Sequence, residues 1–229
     1  PTRAALMTGK SPARVHFTGH ITAIGRHRYP EYGRIIPPED LMHVPLKEVT
    51  IAEALKPAGY STISIGKWHI GDQEKYYPTS QGFDRNIAGY NHGSPPAYFY
   101  PYQDPEKEWN PEIPTLEGGS EGEYLTDRLT NEALKFIEDS GNRPFFLYLP
   151  YYAVHTPLQA PEGLIAKYEK KLETDSSQRN AVYGAMVERM DFNVGRISSK
   201  LRELGLEEKT LVILVSDNGG LASVTNNLP

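Results

Sequence analysis

The sequence predicts an α/β fold: a mostly parallel sheet sandwiched by helices. Three apolar runs carry the prediction: Ser61–Ile65 (STISI), residues 145–149 (FFLYL) and residues 210–215 (TLVILV). Each follows a segment with helical apolar spacing, and each opens into a polar loop. Helices alternating with buried strands imply parallel pairing with both sheet faces covered. Open sheets of this kind bind ligands beyond the carboxyl ends of their strands. That rule would gather Lys67, His69, His155, Asp217 and Asn218 on one sheet edge.

Taken in order, Thr2–Thr8 reads as a helix. Thr2 is its candidate N-cap, Ala4, Ala5, Leu6 and Met7 are good formers, and Gly9 is the stop. Residues 10–45 are irregular. His16 and His20 there read as structural or surface histidines, since Gly19 argues against a helix that would align them. Thr50 and Glu53 form a capping box. The short helix it opens should point Val49, Ala52 and Leu55 inward. Residues 72–120 are rich in Pro, Gly and Tyr and lack periodicity, the mark of a long functional loop or insertion. Their aromatics (Tyr98, Phe99, Tyr100, Tyr102, Trp109) read first as hydrophobic anchors, with stacking on sugar rings as the alternative. Residues 123–140 space Leu125, Leu129, Ala133, Phe136 and Ile137 helically. A short helix over 161–172 follows, then a long one over about 177–204.

The 229 residues suffice for one large α/β domain or two small ones. The composition, 38% hydrophobic and 23% charged, is that of a globular protein, and no apolar run approaches a membrane span. With no cysteine, a Cys nucleophile, zinc thiolates and disulfides are excluded within these residues. The net charge of −5 is uneven. Residues 1–34 carry six Lys/Arg against one acid, Glu31, while the remainder is strongly acidic. A basic N-terminal segment suits an anionic substrate. An acidic chain without a nucleic-acid-binding motif does not suit DNA or RNA.

The chemistry centres on residues 59–71, GYSTISIGKWHIG. Past the strand, an extended Lys67-Trp68-His69 would face its cation and imidazole to one side and pack the indole on the other. Such a pair suits an anionic, oxygen-rich ligand. Arg3 lies in a helix first turn, where unpaired N–H groups also attract anions. Ser216-Asp217-Asn218-Gly219-Gly220 combines side-chain oxygens with a tight turn, as loops for hard cations do. An ordinary Asp-Asn-Gly turn is the alternative.

Together these stretches resemble the sulfatases of the alkaline phosphatase superfamily. Residues 1–9 (PTRAALMTG) are similar to that family's C-x-P-[ST]-R-x-x-x-[LM]-T-G signature from its Pro onward. Residues 59–69 resemble its second signature at every constrained position, and residues 216–220 its metal loop. The resemblance implies one partial sulfatase catalytic domain over residues 1–229. It implies that Arg3 orients the nucleophile, Lys67 binds a sulfate oxygen, and His69 hydrogen-bonds the aldehyde-hydrate nucleophile. His155 would bind sulfate near the leaving oxygen, as its general acid, and His92 would face the substrate. Asp217 and Asn218 would ligate a divalent cation, usually calcium. The nucleophile would be a formylglycine, made by formylglycine-generating machinery from a Cys or Ser two residues before Pro1.

The same resemblance predicts that this chain is an internal fragment, inactive alone. The parent protein would hydrolyse sulfate esters, expectedly of a sulfated carbohydrate or small molecule, in the periplasm or outside the cell. A phosphodiesterase or phosphonate hydrolase on the same scaffold is the second reading. A non-catalytic binder of sulfated glycans is the third.

Overall fold

The computed structural model describes residues 1–21, 40–173 and 180–220. Its contacts cluster into two units. The first comprises Pro1–Gly93, Pro114–Leu116 and Asn142–Pro150; the second comprises Ser94–Ile113, Glu117–Gly141 and Tyr151–Pro229.

The first unit holds the sheet. Strands β1 (Ser61–Ile65), β2 (Arg85–Ile87) and β3 (Phe145–Tyr148) lie in the order β2-β1-β3, and both pairings are parallel. Ile63 stands opposite Arg85 and Leu147 in the register. Four of the five β1 residues are buried, on both faces, as a central parallel strand requires. The β3 residues are half-buried rather than fully buried.

Helix α1 (Thr2–Thr8) forms where the sequence places it, with Ala4 and Met7 buried. Its N-cap is Pro1, without a side-chain cap, so Thr2 does not serve as one. Helix α2 (Ile51–Leu55) is opened by the predicted capping box: Glu53 N donates to Thr50 Oγ1 at 3.2 Å and Thr50 N donates to Glu53 Oε2 at 2.7 Å. Ala52 is buried there, but Val49 is 65% exposed, because it precedes the cap and never joins the inner face. The core joins Ala4, Met7, Phe17, Val44, Ala52, Trp68, Ile70 and Phe83, with Phe146 and Tyr148 against it.

The second unit is helical. Helix α3 (Leu125–Ser140) buries Leu125, Leu129, Ala133, Phe136 and Ile137, the predicted stripe. Helices α4 (Glu162–Leu172) and α5 (Ala181–Glu203) follow, close to their expected ranges; residues 174–179 lie outside the described residues. Gly184 is where α4 meets α5: a Cβ there would sit 2.7 Å from the Tyr168 ring. Arg189 of α5 makes a bidentate pair with Asp127 of α3, and buried Asn193 donates to the same carboxylate at 2.6 Å. No helix among the described residues is long and apolar enough to cross a membrane.

Two strand predictions change. Residues 85–87, read as loop, form an edge strand; a three-residue segment that starts with an exposed Arg carries no alternation to detect. Conversely, residues 210–215 form no strand, and Leu211 to Val215 are 54–83% exposed. β-propensity becomes a strand only when a neighbour offers backbone partners and covers a face. Among the described residues nothing does so for this run. The rule that puts Asp217 and Asn218 at a strand's end therefore has no strand to act on here.

Candidate functional site

The first unit gathers Arg3, Lys67 and His69 at the exit of β1. Both sheet neighbours clamp that exit: Gly66 N donates to Ile87 O and Lys67 N to Pro150 O, each at 2.8 Å. The chain then leaves the extended conformation. His69 has φ +50°, in the left-handed region where His is tolerated but not favoured. Three bonds hold this geometry. His69 N donates to Tyr90 O at 3.0 Å, Val44 N to Ile70 O at 3.0 Å, and Trp68 Nε1 to Tyr76 O at 2.8 Å. Trp68 is fully buried, edge-on to Phe83 and Tyr148. Lys67 and His69 stay half-buried on either side of it. The indole is thus buried by a pinned turn rather than by strand alternation.

Arg3 reaches this turn from α1. Its Nε donates to Trp68 O at 3.0 Å, and its Nη2 lies 3.3 Å from His69 Nδ1. On the far side of the ring, His69 Nε2 lies 2.9 Å from Ile21 O. A carbonyl only accepts and a guanidinium only donates. Nε2 therefore carries the proton, and Nδ1 presents its lone pair to Arg3. Burial pushes the His69 pKa down to about 3; Arg3, Lys67 and His20 push the same way, and the Ile21 carbonyl opposes them. The ring is a neutral imidazole held among cations, an arrangement typical of functional sites.

Segment 90–93 runs along the other edge of His69. Tyr90 supplies the carbonyl that holds its backbone. Gly93 packs so closely that a Cβ there would lie 2.5 Å from His69 Cε1 and Nδ1. His92 stands between them, its ring edge-on to Tyr90 at 5.4 Å, its pKa lowered by burial. Sequence reasoning missed Gly93 and the carbonyls of Ile21 and Tyr90, which leave no side-chain signal.

The other predicted residues belong to the second unit. His155 is exposed, and its Nδ1 lies 3.0 Å from Thr156 O. Tyr98 Oη donates to the His155 carbonyl at 3.0 Å, which fixes the loop. Asp217 and Asn218 are adjacent in the turn. With the Asn218 amide oriented to satisfy its bonds, its nitrogen donates to Asp217 Oδ1 at 3.0 Å. Three side-chain oxygens, one of them engaged by the Asn218 amide, fall short of the six to eight or so that calcium takes. No cluster of three His, Cys, Asp or Glu occurs among the described residues. These residues suit a hard cation in kind but not in number.

The family model for sulfatases matches residues 1–227. The chain belongs to the sulfatase family. It is 34% identical to the N-acetylgalactosamine-6-sulfatase of Canis lupus familiaris over 96% of its own length and 40% of that protein. It is 30% identical to a sulfatase of Formosa agariphila over 100% of its length and 49% of that one. It therefore spans less than half of these curated relatives. The crystal structure of Ps i-CgsB in complex with k-i-k-neocarrahexaose superposes with a TM-score of 0.68, at 28% identity, over 90% of this chain and 45% of that chain. Such neighbours bear out the parallel, helix-flanked α/β class.

Proposed function

We propose that the full-length protein hydrolyses sulfate esters of a sulfated carbohydrate, and that Arg3, Lys67 and His69 serve the sulfuryl-transfer end of the reaction. The observation that carries this reading is the neutral His69 ring held against Arg3 within a cationic neighbourhood. It is supported by family membership and by a structural relative crystallised with a carrageenan oligosaccharide.

Each residue's part follows from its chemistry. Arg3 keeps its charge at any working pH and is fixed through Trp68 O beside the His69 ring. Lys67 adds a point charge on a backbone clamped at both sides. Preset cations of this kind favour the sulfuryl oxygens as charge redistributes in the transition state. His69 is neutral with Nε2–H on Ile21; its Nδ1 lone pair faces Arg3 and would accept a hydroxyl proton only in exchange for that contact. His92, also neutral, contributes hydrogen bonding rather than charge. In the second unit, His155 Nδ1–H is committed to Thr156 O, so a proton for the leaving oxygen would pass from Nε2 of its imidazolium. Asp217 and Asn218 would supply two ligands to a divalent cation whose other ligands lie elsewhere in the full protein; the cation would neutralise charge on the sulfate. A formylglycine before Pro1 is the expected nucleophile, and export from the cytoplasm the expected location.

The test compares aryl sulfate and aryl phosphate with one leaving group on the full-length protein. Inorganic sulfate should be released faster than phosphate. Lys67→Ala should lower kcat/KM by about 10²–10³-fold, the usual loss of one preorganised charge or donor. Faster phosphate release, or unchanged kinetics in Lys67→Ala, would refute the reading.

A further inference from the structure

We infer that Trp109 is a stacking platform for an uncharged sugar ring. The loop aromatics differ in burial, with Phe99 half-buried and Tyr100 37% exposed. Tyr98 and Tyr102 are 0% and 2% exposed and act as anchors, whereas Trp109 is 52% exposed. Its loop is nevertheless rigidly built. Asn110, directly after it, is buried and donates from Nδ2 to Ser94 O at 2.9 Å. Asn110 N bonds Lys107 O at 2.8 Å, Lys107 N bonds Asp104 O at 3.0 Å, and Asp104 N bonds Pro111 O at 2.9 Å. Lys107 Nζ is tied to the Asp104 carboxylate at 2.9 Å, and Ile113 closes the loop as a buried residue. The fold thus fixes the backbone on both sides of a half-exposed indole.

An indole held this way presents a flat apolar surface at little entropic cost, which suits the C–H face of a pyranose. The surrounding charge narrows the ligand. Glu108 precedes Trp109, Glu106 and Glu112 are exposed on the same loop, and its one lysine is already paired. Carboxylates accept hydrogen bonds from sugar hydroxyls and repel sulfate. The ring bound at Trp109 is therefore an unsulfated unit of the glycan. This inference rests on the carbohydrate reading of the substrate, and its test requires no turnover.

The chain has two tryptophans, Trp68 fully buried and Trp109 exposed, so fluorescence quenching by neutral acrylamide isolates Trp109. An unsulfated galactan hexasaccharide should shield that emission, and the blue-shifted Trp68 component should stay unchanged. Trp109→Ala should abolish the quenchable component and weaken hexasaccharide binding, by titration calorimetry, about tenfold or more. Trp109→Phe should bind with intermediate affinity, because a smaller ring still stacks; the Trp68 emission of each variant reports that it is folded. The inference fails if about 10 mM unsulfated hexasaccharide gives no shielding. It also fails if Trp109→Ala binds like the parent chain, or if only a sulfated hexasaccharide of the same length shields.

Discussion

Gly93→Ala adds one methyl group where the structure leaves no room for it. The new Cβ would lie 2.5 Å from His69 Cε1 and Nδ1 and 3.2 Å from Cγ. Ordinary carbon contacts begin near 3.5 Å, so ring and segment must separate by about 1 Å. The ring cannot simply swing away, because Ile21 O holds Nε2 and Arg3 Nη2 faces Nδ1. Nor can segment 90–93 retreat freely, because Tyr90 O holds the His69 backbone at 3.0 Å. Overpacking of this size costs about 1–3 kcal/mol of stability. A displacement of about 1 Å in a positioned catalytic group costs on the order of 100-fold in rate. The variant of the full-length protein should therefore melt slightly lower but lose roughly two orders of magnitude in kcat on an aryl sulfate. The His69 ring ¹⁵N shifts should move as well, which reports the displacement even without substrate. Parental kcat together with unmoved His69 shifts would refute the argument.

Two further outcomes follow from the same contacts. His69 has a folded pKa of about 3 against 6.5 for the free side chain, so between those values the unfolded chain binds the extra proton. Stability should then be unaffected by this group above pH 6.5 and should fall as pH drops towards 3, by up to roughly 1.4 kcal/mol per pH unit. Chemical denaturation at several pH values should show a flatter dependence in His69→Gln, and an identical slope would contradict the buried neutral ring. In the second unit, Asp127→Ala removes the carboxylate shared by Arg189 and buried Asn193. It should cost about 2–4 kcal/mol. An Asp127→Ala/Arg189→Met double-mutant cycle should recover part of that loss, and additive costs would show that the pair is not coupled.

Where the signal was local, the chain's residues announced their own structure. The periodicity of α3, the capping box of α2 and the apolar run of β1 each depend on neighbours a few residues away, and each appears as read. The Lys67-Trp68-His69 motif was legible for the same reason. Strand β2 was not, because a three-residue edge strand owes its existence to the partner backbone of β1. Residues 210–215 failed in the opposite sense, with strong propensity but no partner among the described residues. The aromatics of residues 94–113 looked alike in sequence; burial separates the anchors Tyr98 and Tyr102 from the exposed Tyr100 and Trp109.

The sequence by itself determined the α/β class, the sulfatase resemblance and the residue types at the candidate site, because composition, periodicity and motif spacing are properties of the chain. Only the tertiary structure decided how His69 is held: left-handed, neutral, donating to a carbonyl 48 residues away, flanked by Arg3 and by a glycine that leaves no spare room. Backbone carbonyls and close approaches carry no sequence signature, and desolvation exists only once the surrounding atoms are in place.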